Sequence, residues 1–150
     1  MNPLVALKHL TFFETMDEME LRHLSEYLRR ETFTDGTRLF EENMAARGLY
    51  LVISGEVRVQ KEYPDGVRLT LARLRAGDMF GEMSLFDGGP HSAAVEIYSE
   101  AELLILDRSD FLALMEVDPI IALKITVRVA KVLSFRLRTA NEKLVQAKKG

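Results

Sequence analysis

The constraint that most limits this chain is a rhythm of turn residues through its middle. Gly36, Gly48, Gly55, Gly66 and Gly77 fall 7–12 residues apart, and between them lie short runs of alternating apolar and polar residues. That spacing suits short strands joined by turns and is too short for helices. Leu49-Tyr50-Leu51-Val52-Ile53 reads as a buried strand, and Ser54-Gly55 as a turn after it. Val57 to Lys61 and Val67 to Ala72 alternate around Pro64-Asp65-Gly66. Proline presets φ there and glycine accepts positive φ, so a hairpin is expected. Val95 to Tyr98 and Ala101 to Leu106 supply two more strands. So many short strands between residues 32 and 107 predict a sandwich or barrel.

Helices are expected on both sides. Leu4 to Phe13 reads as a helical lead-in. Asp17 can cap the next helix, and Glu20 stands at the capping-box position. Leu21, Leu24 and Leu28 then recur at helical spacing, predicting an amphipathic helix from Glu18 to about Arg30. These elements fill residues 1–31. In residues 108–150, Ser109-Asp110 can cap a short helix through Met115. Asp118-Pro119 opens a long one, with aspartate at the cap and proline in the first turn. Neither glycine nor proline interrupts Ile120 to Lys149. About 30 residues is roughly 45 Å of helix, more than a small barrel can cover. Leu123, Ala130, Leu137 and Leu144 recur every seven residues, thickened by Val127, Val132, Leu133 and Ala140. A seven-residue stripe suits a partner helix, so a homodimer through this helix is expected. The alternative is a helix folded back on its own domain.

Composition excludes several classes. At 150 residues the chain is one ordinary domain. It has no cysteine, which rules out disulfides, thiolate zinc sites and cysteine-held iron–sulfur clusters. This fits a reducing cytoplasm, the expected location. A net charge of −3 provides no basic field for nucleic acid. No apolar run approaches a bilayer-spanning length, and no signal peptide is evident. His9, His23 and His91 are far apart and lack metal-ligand spacing. No triad context is present, so neither an enzyme nor a cofactor is expected.

The segment Gly77-Asp78-Met79-Phe80-Gly81-Glu82-Met83-Ser84-Leu85, followed by Pro90-His91-Ser92-Ala93-Ala94-Val95, carries the functional signal. It resembles the phosphate-binding cassette of cyclic-nucleotide-binding domains of the cyclic-AMP receptor type. Ser54-Gly55-Glu56-Val57 and the Asp118-Pro119 helix start extend the resemblance over nearly the whole chain. It implies a mainly β fold with flanking helices. The core is a double-stranded β-helix, or jelly-roll-like β-roll, with short N-terminal helices and a long C-terminal helix. It also implies a ligand, cyclic AMP or cyclic GMP, with Gly81 and Glu82 at the ribose and His91 and Ser92 at the phosphate.

The residue chemistry fits that assignment. A residue without a side chain at Gly81 lets backbone approach a ligand. Glu82 can accept from a hydroxyl through a charge-assisted bond. Met83 to Leu85 are expected to begin a short helix whose N–H groups suit an anion. Each residue also has an ordinary structural reading. Gly81 can be a turn, Ser92 can cap one, and Glu82 can pair with Arg73 or Arg75. Phe80, Leu85 and Val95 are expected in the core.

Two positions depart from the family pattern. His91 stands where arginine is usual. Histidine cannot form arginine's planar fork and, with an ordinary pKa near 6.5, is roughly one-quarter charged at pH 7. It either serves as a weaker phosphate contact or is a solvated loop residue beside a retired pocket. The family also reaches the base from the middle of the long helix, often through hydroxyls. Those positions fall near Arg136 and Leu137, with Ser134 and Thr139 close by. Arg136 can stack on a purine, pair with an anion, or stand as a solvated or inter-helix charge.

Transcription-regulating relatives carry a helix-turn-helix domain after the long helix. None follows here, so direct DNA binding is not expected of this chain. The expectation is a sensor that signals through its long helix. The alternative is a ligand-independent module whose dimer helix, or Leu21 to Leu28, meets a protein partner.

Overall fold

The computed structural model describes residues 3–41, 48–90 and 92–149. The chain opens with α1 (Leu4–His9), a 3-10 turn (Thr11–Phe13) and α2 (Glu18–Ser25). The strands are β1 (Arg29–Phe33), β2 (Arg38–Phe40), β3 (Gly48–Glu62), β4 (Arg68–Leu74), β5 (Met79–Phe80) and β6 (Ala94–Asp107). Helix α3 (Glu82–Asp87) lies between β5 and β6, and α4 (Arg108–Val117) and α5 (Pro119–Lys149) follow. The six strands form one antiparallel sheet ordered β1-β6-β3-β4, with β2 on β6 and β5 on β3.

The two long strands, β3 and β6, are the spine. Each was expected as two strands. Instead Ser54-Gly55 stays within β3, and its register against β6 shifts between Val52 and Ser54, Ser54 and Glu56, and Glu56 and Val57. These irregularities bend the pair without ending it, as bulges do. Gly55 makes the bend possible. Its φ is +88°, and a Cβ there would stand 2.3 Å from the Glu100 carbonyl oxygen, so only glycine fits. The hairpin at Pro64-Asp65-Gly66 forms as expected, with Val67 N donating to Asp65 Oδ1 at 3.0 Å.

The curled sheet separates two cores. Inside it pack Phe40, Tyr50, Val52, Val57, Phe80, Val95, Ile97 and their neighbours. Outside it, Leu49, Leu51, Leu104 and Leu106 meet the N-terminal helices and the first half of α5. The alternation of Tyr50 and Val52 inward with Leu49 and Leu51 outward is the two-residue strand period, with both faces apolar because both are covered.

The N-terminal helix is shorter than its leucine spacing suggests. The capping box forms, with Glu20 N donating to Asp17 Oδ1 at 2.8 Å and Asp17 N to Glu20 Oε1 at 3.1 Å. But α2 ends at Ser25, and Arg29 and Arg30 belong to β1, opposite Ile105 and Leu104. Their guanidinium groups explain the change, since the strand brings Arg29 to Asp107 at 3.0 Å and Arg30 to Glu102 at 2.6 Å. The roll therefore begins at Arg29, three residues before the expected Thr32. Leu28 stays buried after the helix has ended. Helix α4 starts at Arg108, ahead of the expected Ser109-Asp110 cap, and runs past Met115 to Val117.

Helix α5 starts as expected. Ile121 N donates to Asp118 Oδ1 at 3.4 Å, and His23 Nδ1 lies 3.0 Å from Asp118 Oδ2. Lys124 reaches Glu20 at 2.7 Å and Arg128 reaches Glu14 at 3.5 Å, so the N-terminal segment grips the first three turns. Ile121, Ala122, Ile125 and Val129 are buried there, and no later residue of α5 is. The apolar stripe splits accordingly. Val132 turns inward against the core, while Leu123, Val127, Leu137 and Leu144 stand exposed. Among the described residues, no helix is long and apolar enough to cross a membrane.

Candidate functional site

The mouth of the roll holds a cavity of about 440 Å³, within the range that accepts a small organic ligand. Its floor is aromatic. Phe80 stacks on Tyr50 with ring centroids 4.8 Å apart, and Phe40 tilts against both. Leu71, Ala72 and Leu74 of β4 form one wall, and α5 crosses another with Phe135, Arg136, Thr139, Ala140 and Lys143.

The cassette borders the cavity where β5 turns into α3. Gly81, Glu82, Met83 and Ser84 line it from that turn, and Pro90, Ser92 and Ala93 from the loop before β6. Gly81 has φ +79°, and a Cβ there would lie 2.5 Å from the Gly48 carbonyl oxygen and 3.1 Å from the Tyr50 ring. The absent side chain is therefore required by the chain's own packing, whatever ligand binds. Ser84 Oγ donates to the Gly81 carbonyl at 2.8 Å and fixes the first turn of α3. Gly77-Asp78 is a structural turn, with Arg75 N donating to Asp78 Oδ2 at 2.9 Å. Phe80, Leu85 and Val95 are buried, as expected of core residues.

Glu82 and Arg136 meet in this wall. The Glu82 side chain is 12% exposed and that of Arg136 38%, and they pair at 3.5 Å. Arg136 Nη2 also donates to the Met79 carbonyl at 2.7 Å. Arg136 is thus an inter-helix charge, running from α5 to the first residue of α3, and it ties the second half of α5 to the cassette. Arg75 does not pair with Glu82 but lies 3.5 Å from Glu56. The Arg58 guanidinium, bonded to Glu56, holds the Glu56 carboxyl below the usual carboxylate range, and Arg75 adds to the effect.

Gly81, Glu82, Met83, Ser92 and Arg136 therefore all line one cavity. Ser92 is exposed, and its carbonyl accepts from Lys61 Nζ at 3.4 Å. His91 lies outside the described residues. Of the neighbouring helix positions, Thr139 lines the cavity while Ser134 and Leu137 do not. Lys143 was not singled out from the sequence. The signal was present, since positions three, four and seven beyond Arg136 share its helix face.

A roll of six antiparallel strands with its cassette at the mouth and a long helix across it defines a ligand-binding regulatory fold. The profile of the cyclic nucleotide-binding domain matches residues 30–118, and the chain belongs to that family. It is 39% identical over 118 residues to the cyclic AMP receptor protein of Thermus thermophilus, covering 79% of this chain and 53% of that protein. It is 30% identical over 132 residues to a cAMP-activated global transcriptional regulator of Mycobacterium tuberculosis, covering 88% of this chain and 57% of that one. The chain thus spans about half the length of these curated relatives. Among solved structures, a cyclic nucleotide-binding domain from Methylobacillus flagellatus superposes with a TM-score of 0.83 at 26% identity, covering 96% of this chain and 81% of that one.

Substitution of Gly81 tests the packing argument. Gly81→Ala forces a Cβ onto the Gly48 carbonyl in a left-handed conformation, and should cost about 1–3 kcal/mol of stability in urea denaturation. A stability change below about 0.5 kcal/mol would mean that the β5–α3 turn is not held as described.

Proposed function

We propose that this chain is a cytoplasmic sensing domain, a binding module and not a catalyst, that takes a cyclic nucleotide into the roll and signals through α5. The observation that carries this reading is the Arg136 contact. One side chain touches the Met79 carbonyl and the Glu82 carboxylate, so the group assigned to the ribose is also the group that holds the long helix. A ribose hydroxyl donating to Glu82 competes with or reinforces that ion pair and changes how α5 sits. Such a shift requires only differential affinity for two helix positions. Gly81, Met83 and Ser92 complete the contact set, with His91 at the phosphate by its place in the cassette.

The test is calorimetric titration of cyclic AMP and cyclic GMP. Saturable micromolar binding is expected, weakened roughly 10- to 100-fold by Glu82→Gln, which loses a charge-assisted bond. Protonated histidine favours the bound phosphate, so affinity should fall as pH rises from 6 to 8. A pH-independent affinity would remove His91 from the site. Flat heats to millimolar nucleotide would favour the ligand-independent interaction module instead.

The second part of the proposal is a homodimer through α5. The exposed row of Leu123, Val127, Leu137 and Leu144 supports it. Sedimentation should give a dimer for the chain and a monomer for Leu137→Asp/Leu144→Asp. A monomeric parent would overturn this part.

A further inference from the structure

The α5 wall of the cavity contains a cation that the contacts above leave unused. Phe135, Thr139 and Lys143 follow one another at intervals of four and all line the cavity, so they form a row along one helix face. Arg136, beside them, is engaged by Met79 and Glu82. Lys143 takes part in no hydrogen bond or ion pair among the described residues. Of the charged residues described in the lining, Glu82 and Arg136 offset each other, and Lys143 is left uncompensated.

Its position along the helix says which part of a ligand it meets. Lys143 is seven residues beyond Arg136, about 10 Å along the axis. In a cyclic nucleotide the phosphate is bonded to the ribose and the ribose to the base. With the ribose at Glu82 and the phosphate beside Ser92, the base is left between the apolar β4 wall of Leu71, Ala72 and Leu74 and the α5 row, and of these two faces only the α5 row carries polar side chains. Phe135 offers a ring face to any base, and the Thr139 hydroxyl can donate or accept, so neither discriminates. Lys143 does discriminate, because an ammonium has three donors and no acceptor. Guanine presents two acceptors on its outer edge, O6 and N7. Adenine presents N7 beside an amino donor, which would meet the ammonium donor to donor.

We propose that Lys143 reads the base and selects a 6-oxopurine cyclic nucleotide, of the guanine type, over a 6-aminopurine one. This rests on the reading of the cavity as a cyclic-nucleotide site, and it departs from the cyclic AMP in the names of the similar proteins. The test compares cyclic GMP, cyclic IMP and cyclic AMP by calorimetry on the chain and on Lys143→Ala. Cyclic IMP carries the 6-oxo group without the 2-amino group. Cyclic GMP and cyclic IMP should both bind roughly tenfold tighter than cyclic AMP. Lys143→Ala should remove that preference, bringing the three affinities within about threefold of one another. Equal affinities, a preference that survives in Lys143→Ala, or a preference for cyclic GMP that cyclic IMP does not share would each overturn the inference and leave the nucleotide site standing. Failure of all three nucleotides to bind would overturn both.

Discussion

The proposed function of this chain depends on how the second half of α5 is held over the roll. The first half is fixed by burial of Ile121, Ala122, Ile125 and Val129 and by charge pairs to the N-terminal segment. Beyond Val129 no residue of the helix is buried. What ties it to the cavity is Arg136, bonded to the Met79 carbonyl and paired with Glu82. An exposed ion pair contributes little to stability. This one is partly sheltered, and its partner lies in the ligand cavity, so its strength can be changed by what occupies the cavity.

The roll supplies the other side of the cavity. The bent β3–β6 pair carries Tyr50, which stacks on Phe80 beneath the cavity. Gly81 turns the chain from β5 into α3 against the Gly48 carbonyl, which presents Glu82 to the cavity at a fixed place. A packed aromatic floor with a helix held at its far half by a few polar contacts is an arrangement in which a small ligand can bias a long lever.

Much of this was legible in the sequence, because it depends on local chemistry. The Asp17–Glu20 capping box, the Asp118-Pro119 helix start and the Pro64-Asp65-Gly66 hairpin are each set by residues within a few positions of one another. Of the cassette's candidate contacts, Gly81, Glu82, Met83 and Ser92 line a common cavity, and His91 lies outside the described residues. What was not legible depends on distant pairing. Leucine spacing could not show that Arg29 and Arg30 would leave the helix for Asp107 and Glu102, more than 70 residues away. Ser54-Gly55 reads as a turn locally and becomes a bend only because β6 runs alongside. Lys143 looks like an ordinary surface charge until the crossing of α5 over the cavity is known, and Arg136, singled out by the resemblance, shows no local sign of its pairing with Glu82.

The central claim is that the cavity and the far half of α5 are energetically one unit. The most direct measurement is amide hydrogen exchange with and without saturating cyclic nucleotide. The account predicts a change in protection both at Met79–Leu85 and across Phe135–Lys143, with the first half of α5 unaltered. A change confined to the cassette would contradict it, since the ligand would then bind without reaching the helix.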